Sequence, residues 1–275
     1  MIRAHLRNFA KFAMASSPRI ANPLWALVYP YVVRRDATYF GSEYTDRVSA
    51  FERIYEENRW LSTESRSGRG STLDYTRPLR RALAKYLEHL NVKILLDAPC
   101  GDFNWMQHLE LPKGTSYIGA DIVGRMIDEL QKRHGSASRS FLQLDIVECA
   151  LPKADLWLCR DVLFHLPNKD VLTVLENFAN SAIPYLLTTT YNLQKHNVDV
   201  RPGGFRFLNL QAAPFLLPRP LSRIEDFVAP EPPRYLGLWS QSQVRWALDA
   251  TRANEAGHQR RDAVGLPSTI RRPRL

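Results

Sequence analysis

Three aspartates, Asp97, Asp121 and Asp145, each close a short apolar run, and a fourth, Asp161, follows Arg160 at the end of another. The first opens a tight turn of small residues, Asp97-Ala98-Pro99-Cys100-Gly101-Asp102. A buried strand that turns sharply into a helix makes a cradle for a nucleotide-like ligand. A dinucleotide loop needs three glycines so that backbone can approach two phosphates. This turn has only Gly101, with Pro99 and Phe103 where the outer glycines would fall. An acid at the strand end with few glycines favours a cationic, adenosine-bearing ligand over a pyrophosphate, and a dehydrogenase is excluded on the same ground. Asp121, about one strand-helix-strand step later, is placed to accept hydrogen bonds from both hydroxyls of a ribose.

His165 lies one helical turn beyond the fourth apolar run, in Arg160-Asp161-Val162-Leu163-Phe164-His165. An imidazole titrates near neutrality, which suits a general base for a hydroxyl acceptor. Asp161, four residues earlier, is placed to orient that ring or to bind substrate itself. The competing reading is a half-buried structural histidine bonded to Asp161. Arg160 is a candidate partner for a carboxylate of the ligand.

The elements that position these residues follow from hydrophobic periodicity. Apolar runs at 92–97, 116–123, 141–144, 154–159 and 184–190 read as strands, with helical patterns at 123–133 and 168–180 between them. Strands alternating with helices give a doubly wound, mostly parallel α/β sheet, and its carboxyl edge is where ligands bind. Residues 222–228 and 235–239 read as two further strands that complete a seven-stranded sheet with an antiparallel hairpin. Two more helices are expected upstream, at 45–60, with Val48, Phe51, Ile54 and Tyr55 on one face, and at 74–90. Between them Ser62–Ser71 is rich in polar residues and contains Gly68 and Gly70, which suits either a lid or an ordinary polar linker.

The turn Asp97-x-x-Cys100-Gly101-Asp102 resembles the first motif of the class I S-adenosylmethionine-dependent methyltransferases, and the likeness extends over about residues 62–250. The resemblance implies a Rossmann-like fold and S-adenosylmethionine as cofactor, contacted by Asp97, Ala98, Cys100, Gly101 and Asp102, by Asp121 and Ile122 at the ribose, by Asp145 and Ile146 at the adenine, and by Arg160. It places His165 and Asp161 on the acceptor side. Pro99 and Phe103 depart from the family pattern and make the loop stiffer and bulkier. The turn Cys159-Arg160-Asp161-Val162 lacks the Asn/Asp-Pro-Pro-aromatic pattern of amino-methylating DNA enzymes, and Cys100 lies in the wrong turn to attack a base carbon. The expected acceptor is a small molecule or a glycan-like compound methylated at oxygen. A nucleic-acid or protein methyltransferase, and a non-catalytic platform on the same fold, are the alternatives.

The net charge of +9 is carried by the ends: +6 over residues 1–35 and +4 over residues 252–275, leaving residues 36–251 at −1. A near-neutral core gives little support to a nucleic-acid groove. The chain divides into a basic N-terminal segment, 1–44, a catalytic domain, 45–251, with lid helices over 45–90, and a basic, disordered tail, 252–275. At the N-terminus Arg3, Arg7 and Lys11 fall opposite Ile2, Leu6, Phe9 and Phe12 on a helical wheel. That pattern fits an anionic membrane surface, a partner, a transit peptide or the domain's own surface. The apolar stretch Leu24–Val33 is too short to span a bilayer. Three cysteines without metal spacing imply a reducing, cytoplasmic setting and no zinc site. The long segment 191–222 carries Asn192, His196, Asn197, Asp199 and Arg206, donors and acceptors suited to a polyhydroxylated acceptor.

Overall fold

The computed structural model describes residue 44, residues 46–192, 195–228 and 231–263. The amphipathic pattern at 1–35, and with it the membrane reading, lies outside the described residues. Within them the seven strands form one sheet in the order β3-β2-β1-β4-β5-β7-β6. In chain order they are β1 (Ile94–Asp97), β2 (Ser116–Asp121), β3 (Arg139–Gln143), β4 (Leu156–Cys159), β5 (Tyr185–Thr190), β6 (Ser222–Glu225) and β7 (Tyr235–Ser240). All pairs from β3 to β5 are parallel, and β7 runs antiparallel to both β5 and β6. Strand order therefore reverses between β1 and β4, which opens a crevice at their carboxyl ends.

The helices are α1 (Arg47–Glu56), α2 (Leu73–His89), α3 (Gly124–His134), α4 (Asn168–Asn180) and α5 (Gln241–Ala263). Side chains alternate along each strand, so consecutive residues serve opposite faces. Leu95 and Leu158 pack with Leu83, Met126 and Ile127 of α2 and α3, whereas Leu96 and Trp157 pack with Leu175, Phe178 and Val244 of α4 and α5. Both faces are thus sealed by helices with apolar stripes at three- and four-residue spacing. Truncating a residue such as the fully buried Leu83 to alanine is expected to cost about 2–5 kcal/mol.

Several boundaries differ from the sequence reading. No α-helix follows the Asp97–Asp102 turn; among the described residues, 98–115 hold only a 3₁₀ turn at Met106–His108. Phe103 adopts a left-handed backbone (φ 59°) and drives its ring against Tyr117 and Phe141. That inward turn takes the chain off a helical path, so no helix N-terminus underlies the turn. Helix α1 is shorter than expected and turns Ala50 and Ile54 inward, leaving Val48 41% exposed. Helix α5 runs to Ala263, past residue 251 and into the segment read as a disordered tail.

Candidate active site

A cleft with about 930 Å³ of empty space, its open mouth included, lies over the carboxyl ends of β1, β2 and β4. Of the residues expected to bind the cofactor, Asp97, Cys100, Gly101, Asp121, Ile122, Asp145, Ile146 and Arg160 line it. Ala98 and Asp102 do not. Ala98 is buried in the sheet, its N–H on the Leu158 carbonyl at 3.0 Å and its carbonyl accepting from Trp157 Nε1 at 2.8 Å. Asp102 is consumed by the segment above it, accepting from Ser65 Oγ at 2.9 Å and from the Arg66 N–H at 2.7 Å.

Asp121 is built into the turn by two backbone bonds. Its Oδ2 accepts from the Gly101 N–H at 3.1 Å and its Oδ1 from the Val123 N–H at 3.1 Å. Each oxygen keeps a second lone pair for a ligand hydroxyl. Burial pushes its carboxyl up to about 6, against the pull of those two N–H groups. Asp97, beneath it, accepts from the Tyr117 hydroxyl at 2.7 Å, and burial pushes it up to about 7. Gly101 sits at φ +56°, and a Cβ there would collide with Ser67 Oγ. Glycine is therefore required by both backbone and space.

The strand-4 turn carries a buried ring of charge. Arg160 Nε and Nη2 donate to the two oxygens of Asp226 at 2.9 and 3.1 Å, and Nη2 also reaches the Gly70 carbonyl at 2.9 Å. Arg234 Nη2 donates to Asp161 Oδ2 at 2.7 Å, and its Nε stands 3.7 Å from Asp226 Oδ2. Arg160 Nη1 stands 3.3 Å from Asp161, which closes the ring. Burial alone would raise the Asp161 carboxyl, but the two guanidiniums outweigh it and hold the group below its ordinary value. Asp161 adopts φ +57°, a left-handed backbone held by reciprocal bonds with Thr189 Oγ1. It lines the cleft as an anion.

His165 does not line the cleft. Its Nδ1 faces the Gly204 carbonyl at 2.5 Å, so that nitrogen donates and the neutral ring keeps its lone pair on Nε2. Burial pulls its pKa down to about 4, and no hydrogen bond joins it to Asp161. Its ring packs 5.4 Å from that of Trp60, which does line the cleft. The polar residues of 191–222 also lie away from the cleft. Asn197 is spent on the carbonyls of Asn209 and Ala213 and on the Asn209 N–H, and Asp199 accepts from the Asn168 N–H.

Sequence reasoning read 45–90 as lid helices and 62–71 as lid or linker, but named none of the side chains that roof the cleft as site residues. Helix α1 presents Arg47, Phe51 and Tyr55 to the cleft at i, i+4, i+8, and Trp60, Arg66, Ser67 and Ser71 continue the cover. The four-residue spacing was the signal available for α1. The stretch 62–71, left between lid and linker, is pinned onto the ligand turn through Asp102 and onto Arg160 through Gly70. Among the described residues no group of three His, Cys, Asp or Glu is placed to hold a metal, and no helix is long and apolar enough to cross a membrane.

The mostly parallel seven-stranded fold is shared with a solved methyltransferase. The chain shares its fold with a Burkholderia thailandensis 1,6-didemethyltoxoflavin-N1-methyltransferase with bound 1,6-didemethyltoxoflavin and S-adenosylhomocysteine, at a TM-score of 0.51 and 17% identity over 70% of this chain and 86% of that one. A structure of PigF with S-adenosylhomocysteine matches at 0.51 and 15% identity over 79% of this chain and 69% of that one. No family model matches the sequence, and no curated protein does.

Proposed function

We propose that this chain is an S-adenosylmethionine-dependent methyltransferase acting on a small-molecule acceptor at oxygen. The observation that carries the reading is Asp121, fixed by the Gly101 and Val123 amides at the edge of a cleft whose wall is apolar at Ile122, Met126 and Ile146. A ribose acceptor beside an apolar slot fits an adenosine, and the acids Asp97 and Asp161 fit a cationic ligand. Two solved structures that share the fold at a TM-score above 0.5 carry S-adenosylhomocysteine.

When bound, the cofactor supplies a sulfonium methyl already activated for in-line displacement, so the protein's work is alignment. Asp121 accepts the ribose hydroxyls, and Ile146 packs on the adenine with Asp145 at its amine. Asp97 meets the cationic part. Arg160, saturated by Asp226, Asp161 and Gly70, keeps Asp161 in place rather than gripping a carboxylate of the ligand. Asp161, held anionic, takes a hydrogen bond from the acceptor. His165, with Nε2 as its free lone pair, packs against the cleft-lining Trp60, and that ring must give way for a proton of the acceptor to reach it. A base of low pKa matches an acidic hydroxyl.

Titration calorimetry with S-adenosylmethionine, S-adenosylhomocysteine and NAD tests the cofactor assignment. Micromolar affinity for the first two, lost in Asp121→Ala with the fold retained, is the expected result. Binding of NAD in their place overturns it.

A further inference from the structure

Arg47 stands at the start of α1, 98 residues from Asp145 in sequence, and its guanidinium is shared among three carboxylates. Nη2 donates to Asp145 Oδ2 at 2.9 Å and to Glu148 Oε1 at 2.7 Å, Nε reaches the same Asp145 oxygen at 3.3 Å, and Nη1 donates to Asp170 Oδ2 at 3.0 Å. The other oxygen of Asp145 accepts from the Val147 N–H at 2.9 Å. Arg47 and Asp145 both line the cleft, at the end where Ile146 and Val147 form its apolar wall.

This arrangement has two consequences. A carboxylate gripped by one oxygen from a guanidinium and by the other from a backbone amide cannot rotate, so the lone pair left on Oδ1 points in a fixed direction. The guanidinium itself faces three acids. Its donors are spent on Asp145, Glu148 and Asp170, and that end of the cleft remains an acceptor of hydrogen bonds. An exocyclic amine is matched there, while a carbonyl in the same place meets carboxylate oxygen.

We propose that Arg47 is a positioning residue for cofactor selection, fixing Asp145 so that the cleft takes a purine carrying an exocyclic amine over one carrying a carbonyl. This rests on the cofactor reading above. The arginine comes from the roof and the aspartate from the sheet, so the same pair registers α1 on the core when the purine end is formed.

The test is calorimetry of the full chain with S-adenosylhomocysteine and with its deaminated counterpart, S-inosylhomocysteine. Wild-type protein should prefer the amine by about tenfold or more, the difference expected for one charge-assisted hydrogen bond. Arg47→Ala should lose most of that preference by weaker binding of the amine ligand alone, with the inosyl ligand changed less than about twofold. Arg47→Lys should restore part of it. Asp170→Asn removes a partner of Arg47 that lies outside the cleft, and an intermediate preference is expected; this variant keeps the test decisive if Arg47→Ala does not fold. An unchanged ratio in Arg47→Ala, or equal losses for both ligands, overturns the proposal while leaving the cofactor reading standing. Wild-type protein that binds neither ligand overturns both.

Discussion

Arg160 and Asp226 are 66 residues apart and meet side by side, Nε to Oδ2 at 2.9 Å and Nη2 to Oδ1 at 3.1 Å, with the aspartate 1% exposed. The pair ties the turn after β4 to the segment after β6. Through Arg234 and Asp161 it also fixes the anion that lines the cleft.

Asp226→Ala strips the buried Arg160 guanidinium of its two carboxylate bonds, while Arg234 keeps the backbone carbonyl of residue 226. Breaking one side of a buried ion pair costs about 3–5 kcal/mol, so chemical denaturation should show a loss of that order. Asp161 would then be the one carboxylate left in the ring, and methyl transfer in whatever folded fraction survives should fall with it. A stability change below about 1 kcal/mol would assign the ring no structural role.

The strand ends were readable because a buried parallel strand must be an apolar run and must stop at something polar. Asp97, Asp121 and Asp161 stood at cleft positions for that reason. The partners of those acids were not readable. Asp226 and Arg47 reach the site across 66 and 98 residues, and no local pattern encodes such a contact. Arg160 looked like a ligand for a carboxylate because its own carboxylate was invisible in sequence. The helix expected after Gly101 failed for a related reason. Phe103 finds a buried aromatic cluster with Tyr117 and Phe141, and tertiary packing overrides the usual connection. The loop 191–222 looked like a specificity surface, but Asn197 is spent on the loop's own backbone and Asp199 on the first turn of α4.

Asp97 and Asp121 make the ligand-free protein sensitive to alkali. Burial pushes their carboxyls up to about 7 and about 6 in the fold, above the ordinary aspartate value of 3.8. The folded state therefore holds protons that the unfolded chain has already released. Their stabilising contribution is present below about pH 4 and is lost as pH rises through 6 and 7. Thermal melting of wild type and Asp97→Asn between pH 4.5 and 8 should show a shallower fall in the variant. Affinity for a cationic ligand should run the other way and rise over the same interval, because binding favours the ionised acid. An affinity independent of pH would remove Asp97 from contact with the charged part of the ligand.

Asp102 holds the roof through Ser65 and Arg66, and its N–H donates to Ser67 Oγ at 2.9 Å. Asp102→Ala should free the segment 62–71 without touching the cleft wall. The expected result is faster proteolytic cutting within 62–71 and quicker exchange of bound S-adenosylhomocysteine, with global stability lowered by about 1–3 kcal/mol for the lost charged hydrogen bonds. Unchanged cutting would mean that packing of Trp60 and Tyr55, not Asp102, keeps the roof down.

His165 separates the catalytic reading from the structural one. Its ring is neutral through the physiological range because burial pulls its pKa down to about 4. The unfolded chain takes up a proton below about 6.5 that the folded chain refuses until about 4. Stability from this group is thus present above 6.5 and is lost as pH falls toward 4. His165→Asn should flatten that acid limb, whatever the residue's part in chemistry. Catalysis is read separately. If Nε2 takes the acceptor proton, turnover of His165→Asn falls by roughly 10²-fold or more with cofactor affinity unchanged, and the wild-type rate shows no histidine inflection between pH 5 and 8. Trp60→Ala, which removes the ring between His165 and the cleft, should then change turnover far more than cofactor affinity. Full turnover in His165→Asn would leave Asp161 as the group that meets the acceptor, with His165 serving only to bind the Gly204 carbonyl.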